Sequence, residues 1–404
     1  MYKKSDYIRR GFRFLNNNLR PGHKKISTLM LYSTDLCDSR CKHCLMWAKR
    51  PVRHIPFEKI VELMSSKCVG KHTLVGLEGG EFLMHPEAMQ ILEWFSKNHP
   101  YFDLLSNCLN ADRVIDAVKK YPPKRLFLSL DGTKETYLHM RGKDGYDDVL
   151  RVIDECKSFM PISLMFTLSP YNSFADMEHV IEIAKKNKID VRIGMYSNMS
   201  LLDTIEKAHE TDISSKTNEE KLSFSEVKKL KEEQSVLNKE HSNDIENIEV
   251  PDHDHSKIDH SESFKKSIPE NIRDIPENLD FLLLYDEWRK KKLKLRCRSI
   301  LDSLVIHPDG SVPICQNLGL KLGSIHEDSL DNIFNSLQSQ KIQQKYSMHC
   351  NQCWVNFHRK YDIVLMRSAE KLLPKFLVEK IFGYYHWTDD RKMTYKKLMK
   401  ANGF

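Results

Sequence analysis

Seven of the ten cysteines in this 404-residue chain fall into two groups. The first group is compact: Cys37, Cys41 and Cys44 stand in the run Asp35-Leu36-Cys37-Asp38-Ser39-Arg40-Cys41-Lys42-His43-Cys44. Three thiolates this close can wrap one iron–sulfur cluster. A structural zinc ion usually takes four protein ligands, whereas three leave one metal position open, as a catalytic metal needs. The second group is dispersed: Cys297, Cys315, Cys350 and Cys353. Four thiolates complete a tetrahedral site, and their spacing alone leaves zinc and iron–sulfur equally open. Between the groups lies Glu78-Gly79-Gly80-Glu81, where the glycines would let the backbone approach a ligand closely.

The elements around these residues must hold them. Residues 28–196 alternate apolar runs with helical patterns through short connections. Six strands are expected at 28–33, 73–77, 101–106, 125–130, 162–168 and 190–196, with five helices between them. That order argues for an α/β fold with a parallel sheet and right-handed crossovers. Eight strands would close a full barrel, so six imply a partial (β/α)6 TIM-like barrel, with its chemistry at the C-terminal strand ends. The first cysteine group follows strand one and the glycine pair follows strand two. Strand three ends in Ser106-Asn107-Cys108 and strand four in Ser129-Leu130-Asp131-Gly132. Ser129 and Asp131 share one face, expected to be the lumen. Further on, Asp309-Gly310 between apolar runs is a hairpin signal. Cys68 and Cys156 lie in or beside helical patterns, where a small buried apolar residue is the default.

The three cysteines after a first strand, spaced by three residues and then two, resemble the radical S-adenosylmethionine (SAM) superfamily. The resemblance implies a 4Fe–4S cluster on Cys37, Cys41 and Cys44, with SAM chelating the fourth iron. One electron would cleave SAM to methionine and a 5′-deoxyadenosyl radical, which abstracts hydrogen from substrate; the protein supplies placement. Gly79, Gly80 and Glu81 resemble the family's GGE motif, which meets the methionine amino group. The resemblance also implies SAM contacts at Asn107, Ser129, Asp131 and Arg141. The chain departs from the family pattern at His43, where an aromatic residue is usual, at Phe82, where proline is usual, and at Asn107-Cys108, where Asn-Gly is usual. Cys108 is a candidate hydrogen donor to a substrate radical. A cysteine, a hairpin glycine, a cysteine and a Cys-x-x-Cys pair after such a core look like the SPASM/Twitch extension. This implies one auxiliary 4Fe–4S cluster on Cys297, Cys315, Cys350 and Cys353. Longer SPASM forms carry more cysteines and a second auxiliary cluster, but no cysteine follows Cys353.

Composition narrows the rest. The net charge of +7 hides three blocks. Residues 1–50 carry 12 Lys/Arg against 3 Asp, residues 203–280 carry 11 against 21, and residues 359–400 carry 11 against 5. No nucleic-acid module accompanies the basic ends, so no nucleic-acid partner is expected. The acidic block is poor in aromatics and reads as a mobile insertion with one helix around 224–239. Its His253, His255 and His260 read as loop residues. The division expected is a basic helix at 1–27, a radical SAM core at 28–202, the insertion at 203–280, a Twitch-type domain at 281–358 and a basic helical region at 359–404. That last region is expected to pack on its own domain, without membrane contact. No apolar signal region opens the chain, so a cytoplasmic location is expected. The function expected is oxidation or epimerisation of a sugar or cyclitol, fed by a one-electron donor such as flavodoxin or ferredoxin. Peptide modification is the second reading. A non-catalytic zinc-binding interaction protein is the reading outside the enzymes.

Overall fold

The computed structural model describes residues 4–44, 46–49, 51–196, 264–382, 387–388 and 393–403. The helix expected around 224–239 and the three histidines of the acidic block lie outside the described residues.

Helix α1 (Lys4–Leu19) precedes strand β1 (Thr28–Tyr32). The core then alternates α2 (Phe57–Met64), β2 (Leu74–Glu78), α3 (Ala88–Asn98), β3 (Phe102–Ser106), α4 (Ala111–Lys120) and β4 (Arg125–Ser129). It continues with α5 (Lys134–Arg141), α6 (Tyr146–Cys156), β5 (Ile162–Leu168), α7 (Phe174–Asn187) and β6 (Asp190–Met195). Strands β1 to β4 are almost wholly buried, as apolar runs covered on both faces of a parallel sheet must be. Helix starts are set locally: Asn110 caps α4 and Thr133 caps α5. Ser173 and Asp176 form a reciprocal capping box on α7, and Asp176 also accepts the Thr133 amide at 3.2 Å.

Past residue 263 come α8 (Phe264–Ser267), α9 (Pro276–Arg289), β7 (Ser303–Ile306), β8 (Ser311–Pro313) and β9 (Lys321–Ser324). They are followed by α10 (Leu330–Asn335), α11 (Leu337–His349), α12 (Asn356–Leu372), α13 (Lys375–Phe382) and α14 (Tyr395–Ala401). All strands of the main sheet are parallel, in the order β6-β5-β4-β3-β2-β1-β7. The partial barrel expected from the sequence is therefore present, with a seventh strand added beside β1. That strand is supplied by 303–306, from the stretch assigned to the auxiliary domain. The turn expected at Asp309-Gly310 forms, with Gly310 at φ +79°, yet β8 pairs antiparallel with β9 rather than with β7. β7 is committed to β1, whose edge would otherwise be open.

Two expected boundaries need correction. The acidic insertion does not extend to 280: Phe264, Ile272 and Leu279 are buried in the main core. Nor does a separate basic region begin at 359. Helix α12 runs through that position, and Arg359 is completely buried. α12 joins the two sheet edges: Asn356 Nδ2 donates to the Ile193 carbonyl of β6 at 2.7 Å. On the other side, the His358 carbonyl accepts from Ser299 Oγ at 2.7 Å, just before β7.

The N-terminal helix is clamped to the opposite end of the barrel. Arg10 grips Asp302 through two bonds of 3.0 and 2.9 Å and reaches Thr28 Oγ1 at 3.1 Å. Its guanidinium also lies 3.2 Å from the Tyr361 ring centroid. Breaking a buried ion pair leaves its partner charged and dry. Arg10→Ala is expected to cost about 3–5 kcal/mol, read as a fall in the urea midpoint with an unchanged slope.

Candidate active site

A cavity of about 350 Å³ fills the open barrel. Cys37, Cys41 and Cys44 line it together with residues from all six core strands and from 355–361. The cysteine run is held from two sides. On one side Gly80 N donates to the Thr34 carbonyl at 2.7 Å and Glu81 N to the Leu36 carbonyl at 2.8 Å. A Cβ on Gly80 would stand 2.3 Å from the Leu36 oxygen, so only glycine allows that approach. The glycine pair thus lets one loop approach another, besides lining the cavity. On the other side Arg40 N and Lys42 N donate to the carbonyls of Arg141 and Met140, both at 2.9 Å. There Gly142 ends α5 at φ +67°, where a Cβ would stand 2.9 Å from the Arg40 carbonyl oxygen.

Burial pushes the Cys37 thiol above its usual range and the Cys44 thiol up to about 11, with the neighbouring cysteines adding to both. Thiols placed together in a dry wall ionise when a metal centre takes the charge. Ser39 Oγ stands 3.0 Å from Cys41 Sγ, Arg141 Nη1 3.9 Å from the same sulfur, and Asn107 Nδ2 3.8 Å from Cys37 Sγ. Among the described residues no three His, Cys, Asp or Glu side chains converge on a single ion's position. Three thiolates on one loop leave a metal position open, as a catalytic iron–sulfur cluster needs. The donor set fits an iron–sulfur cluster.

Of the other residues singled out in the sequence, Gly79, Gly80, Glu81, Asn107, Ser129 and Arg141 line the cavity. Glu81 uses its carboxylate to hold the loops: Oε2 accepts the Asn107 amide at 2.7 Å. Arg141 is no surface residue, being 6% exposed. Its Nε donates to Asp131 Oδ2 at 2.9 Å, and Asp131 Oδ1 accepts the Thr167 amide at 2.9 Å. Asp131 itself is fully buried and does not line the cavity, contrary to expectation, because both its oxygens are engaged in holding Arg141 and β5. Cys108 also misses the cavity. It sits at φ +64° with its thiol in the main core, so it cannot reach a substrate there. That backbone conformation explains why glycine suits the position. Cys68 and Cys156 are core residues, as expected.

The second group assembles beside this cavity. Cys297, Cys315 and Cys350 share one small core with Ile300, Ile314, Ile342 and Tyr346. Cys353 follows at the foot of α12, and charges on it and Cys350 push up the thiols of Cys297 and Cys315 on top of burial. Trp354 pins the Cys-x-x-Cys turn to α9: its Nε1 donates to the Phe281 carbonyl at 3.0 Å, and the Trp288 ring packs against it, tilted, at 5.5 Å. Arg359 laces the ligand-bearing segments together. It donates to the carbonyls of Cys353 at 2.9 Å and Leu295 at 2.7 Å, and to Asn351 Oδ1 at 3.2 Å.

Several residues that sequence reasoning missed also reach the site. Gln316, next to Cys315, lines the cavity and donates to Tyr32 Oη at 2.7 Å. Tyr32 in turn bonds to Glu78, whose carboxyl burial pushes up to about 7. Lys360 enters from α12, pairs with Glu277 at 2.5 Å and is pulled down by burial to about 8. The period-two alternation of β1 and β2 could have flagged Tyr32 and Glu78 as lumen residues. Nothing local marks Gln316, Lys360 or Arg359.

A partial barrel with three thiols in its cavity wall and four more beside it fits an iron–sulfur enzyme. The family model of the radical SAM superfamily matches residues 31–184, and that of the SPASM iron–sulfur cluster-binding domain matches residues 297–354. The chain belongs to the radical SAM superfamily, with a C-terminal SPASM-type auxiliary domain, and uses SAM and 4Fe–4S clusters. No curated protein matches it in sequence. Streptococcus suis SuiB, solved bound to its precursor peptide SuiA, shares the fold at TM-score 0.50 and 14% identity, over 84% of this chain and 72% of that one. SuiB bound to S-adenosylmethionine matches at TM-score 0.50 and 14% identity, over 85% and 74%.

Glu78 carries a pH signature. Its carboxyl titrates at about 7 when folded against an ordinary 4.5, so the folded state holds the extra proton. Its contribution is complete at low pH and is lost as pH rises through that window. Glu78→Gln is expected to flatten part of the decline in stability over this range, measured as urea midpoints at about pH 5 and pH 8. Arg359→Ala is expected to cost about 3–5 kcal/mol and to lower iron retention at the auxiliary site, read by denaturation and iron analysis.

Proposed function

We propose that this radical SAM enzyme oxidises a peptide, taking a hydrogen atom from one of its carbons. The supporting observation is that the fold likeness to SuiB, solved with a precursor peptide, spans the core and the auxiliary region together. The sugar or cyclitol substrate expected from the sequence has no support among the comparisons and gives way to the peptide reading.

In this reading Cys37, Cys41 and Cys44 hold the cluster that binds SAM. Gly79, Gly80, Glu81, Asn107, Ser129 and Arg141 line the SAM side of the cavity. Asp131 acts through Arg141 as a positioning residue, since it has no surface there. Cys297, Cys315, Cys350 and Cys353 hold the auxiliary cluster. The cofactors supply a one-electron cleavage that yields a hydrogen-abstracting 5′-deoxyadenosyl radical, and a donor such as flavodoxin or ferredoxin supplies the electron. The chain's own work is to bind, orient and take up what leaves. The bound cofactor would accept the hydrogen atom lost by the peptide. A proton and an electron must then leave the substrate carbon. Glu78 is our candidate for the proton acceptor, because it faces the cavity and titrates near neutrality. An auxiliary cluster held by Cys315 and its partners would take the electron, since Gln316, the next residue, lines the cavity.

The test is anaerobic incubation of the reconstituted protein with SAM, a strong reductant and precursor peptides encoded beside its gene. About eight iron and eight sulfide per chain are expected, with 5′-deoxyadenosine formed and the peptide lightened by two hydrogen atoms. Turnover of sugars or cyclitols without peptide would overturn the substrate. A failure to cleave SAM under any reductant would remove the whole reading.

A further inference from the structure

Helix α1 is packed mainly by its polar residues, with Phe14, and leaves four large apolar side chains outside. Arg10, Arg13 and Asn17, at helical spacing, face the barrel. Arg10 bonds to Asp302, Arg13 to the Ile26 carbonyl and Asn17 to the Lys25 carbonyl. Ile8, Phe12, Leu15 and Leu19 occupy the opposite face, exposed by 61%, 70%, 57% and 82%. A helix on a globular domain normally puts these two faces the other way round. A stripe of large apolar side chains left in water is a contact surface awaiting its partner.

A second apolar segment adjoins it. Leu365 of α12 lines the same small recess as Gly11 and Phe14 of α1. Leu372 lies two turns further along that face of α12, and the corner between α12 and α13 is exposed throughout. There Leu372 is 80% and Phe376 67% exposed. Cations surround both segments. Residues 1–25 hold eight Lys/Arg and one Asp. Arg10 and Arg13 are engaged inside, but Arg20, Lys371, Lys375 and Lys380 are exposed. Of the acids near the corner, Asp362 is buried, Glu370 is engaged with Trp387 and Tyr395, and Glu379 of α13 is half-buried and outnumbered by Lys371, Lys375 and Lys380.

We infer that this face docks the protein on an anionic lipid surface, with α1 lying along the headgroup boundary and Ile8, Phe12, Leu15 and Leu19 inserted. Charge selects this occupant. A second copy of the same face would bring its cations against like cations, whereas acidic headgroups neutralise them. Shape agrees: the stripe is the convex side of one helix, which fits a fluid interface better than an extended peptide seeking a groove. The contact is interfacial, since no helix among the described residues is long and apolar enough to cross a membrane. The composition of the C-terminal region led to an expectation of no membrane contact. The apolar stripe that reverses it lies at the other end of the chain, in α1.

The experiment is flotation of the full-length, cluster-loaded protein with vesicles, under anaerobic conditions. Vesicles of phosphatidylcholine alone are compared with vesicles containing phosphatidylglycerol. Binding to the anionic vesicles is expected, at least tenfold weaker with phosphatidylcholine alone and at high salt. The double variant Phe12→Ser with Leu15→Ser should lose at least tenfold of the binding. Its iron content, melting temperature and SAM cleavage should be unchanged, because neither side chain packs inward. Wild-type protein that stays at the bottom with anionic vesicles overturns the inference, as does a double variant that floats equally well. Light scattering that finds a dimer in the wild type and a monomer in the variant would make the face a self-interface and overturn it too. So would loss of precursor-peptide binding in the variant without change in flotation.

Discussion

Thiols gathered in a dry wall resist ionisation unless something positive sits among them. The structure is arranged around that constraint twice. At the mouth of the barrel, Cys37, Cys41 and Cys44 are kept together by the glycine loop after β2 and by the C-terminal turn of α5. Arg141 approaches one of them and is itself anchored by Asp131. In the second group Cys297, Cys315 and Cys350 share a small apolar core, and a fully buried guanidinium, Arg359, bonds to the segments around Leu295 and Cys353. In both places an arginine brings positive charge to the thiols, Arg141 beside Cys41 and Arg359 beside Cys297.

The two groups are not separate modules joined by a tether. β7 comes from the auxiliary stretch and lies in the core sheet beside β1. α12 leaves the auxiliary stretch and closes the gap between β6 and the turn before β7. Because the partial barrel is open, something must cover its two edges. Here the covering elements flank the second set of cysteines in the chain. The consequence for chemistry is proximity: Gln316 belongs to the auxiliary group by position and to the cavity by contact, and its bond to Tyr32 joins it to Glu78.

Legibility followed the range of the interaction. Six strands and the chemical end of the sheet could be read from apolar runs, because each strand's burial is written in its own residues. The roles of Asp131 and Cys108 were not legible. Two-residue alternation set Asp131 facing the lumen beside Ser129, but it could not say that Arg141 would claim its carboxylate. Cys108 follows the strand at the expected end, yet its positive φ turns the side chain into the core. The basic C-terminal charge count likewise concealed Arg359, because a sum of charges is silent about which of them are buried.

The cysteine spacings and the alternation of strands and helices, and with them the superfamily, follow from neighbours a few residues apart and can be read along the chain. The seventh strand from 303–306, the sealing of the barrel by α12 and the turning of Arg10 and Arg13 inward with Leu15 and Leu19 outward emerge in the folded chain alone. Those outcomes rest on contacts between residues hundreds of positions apart, such as Arg10 with Asp302. No local pattern encodes such a contact, because its energy exists only once both partners have been brought together and dried.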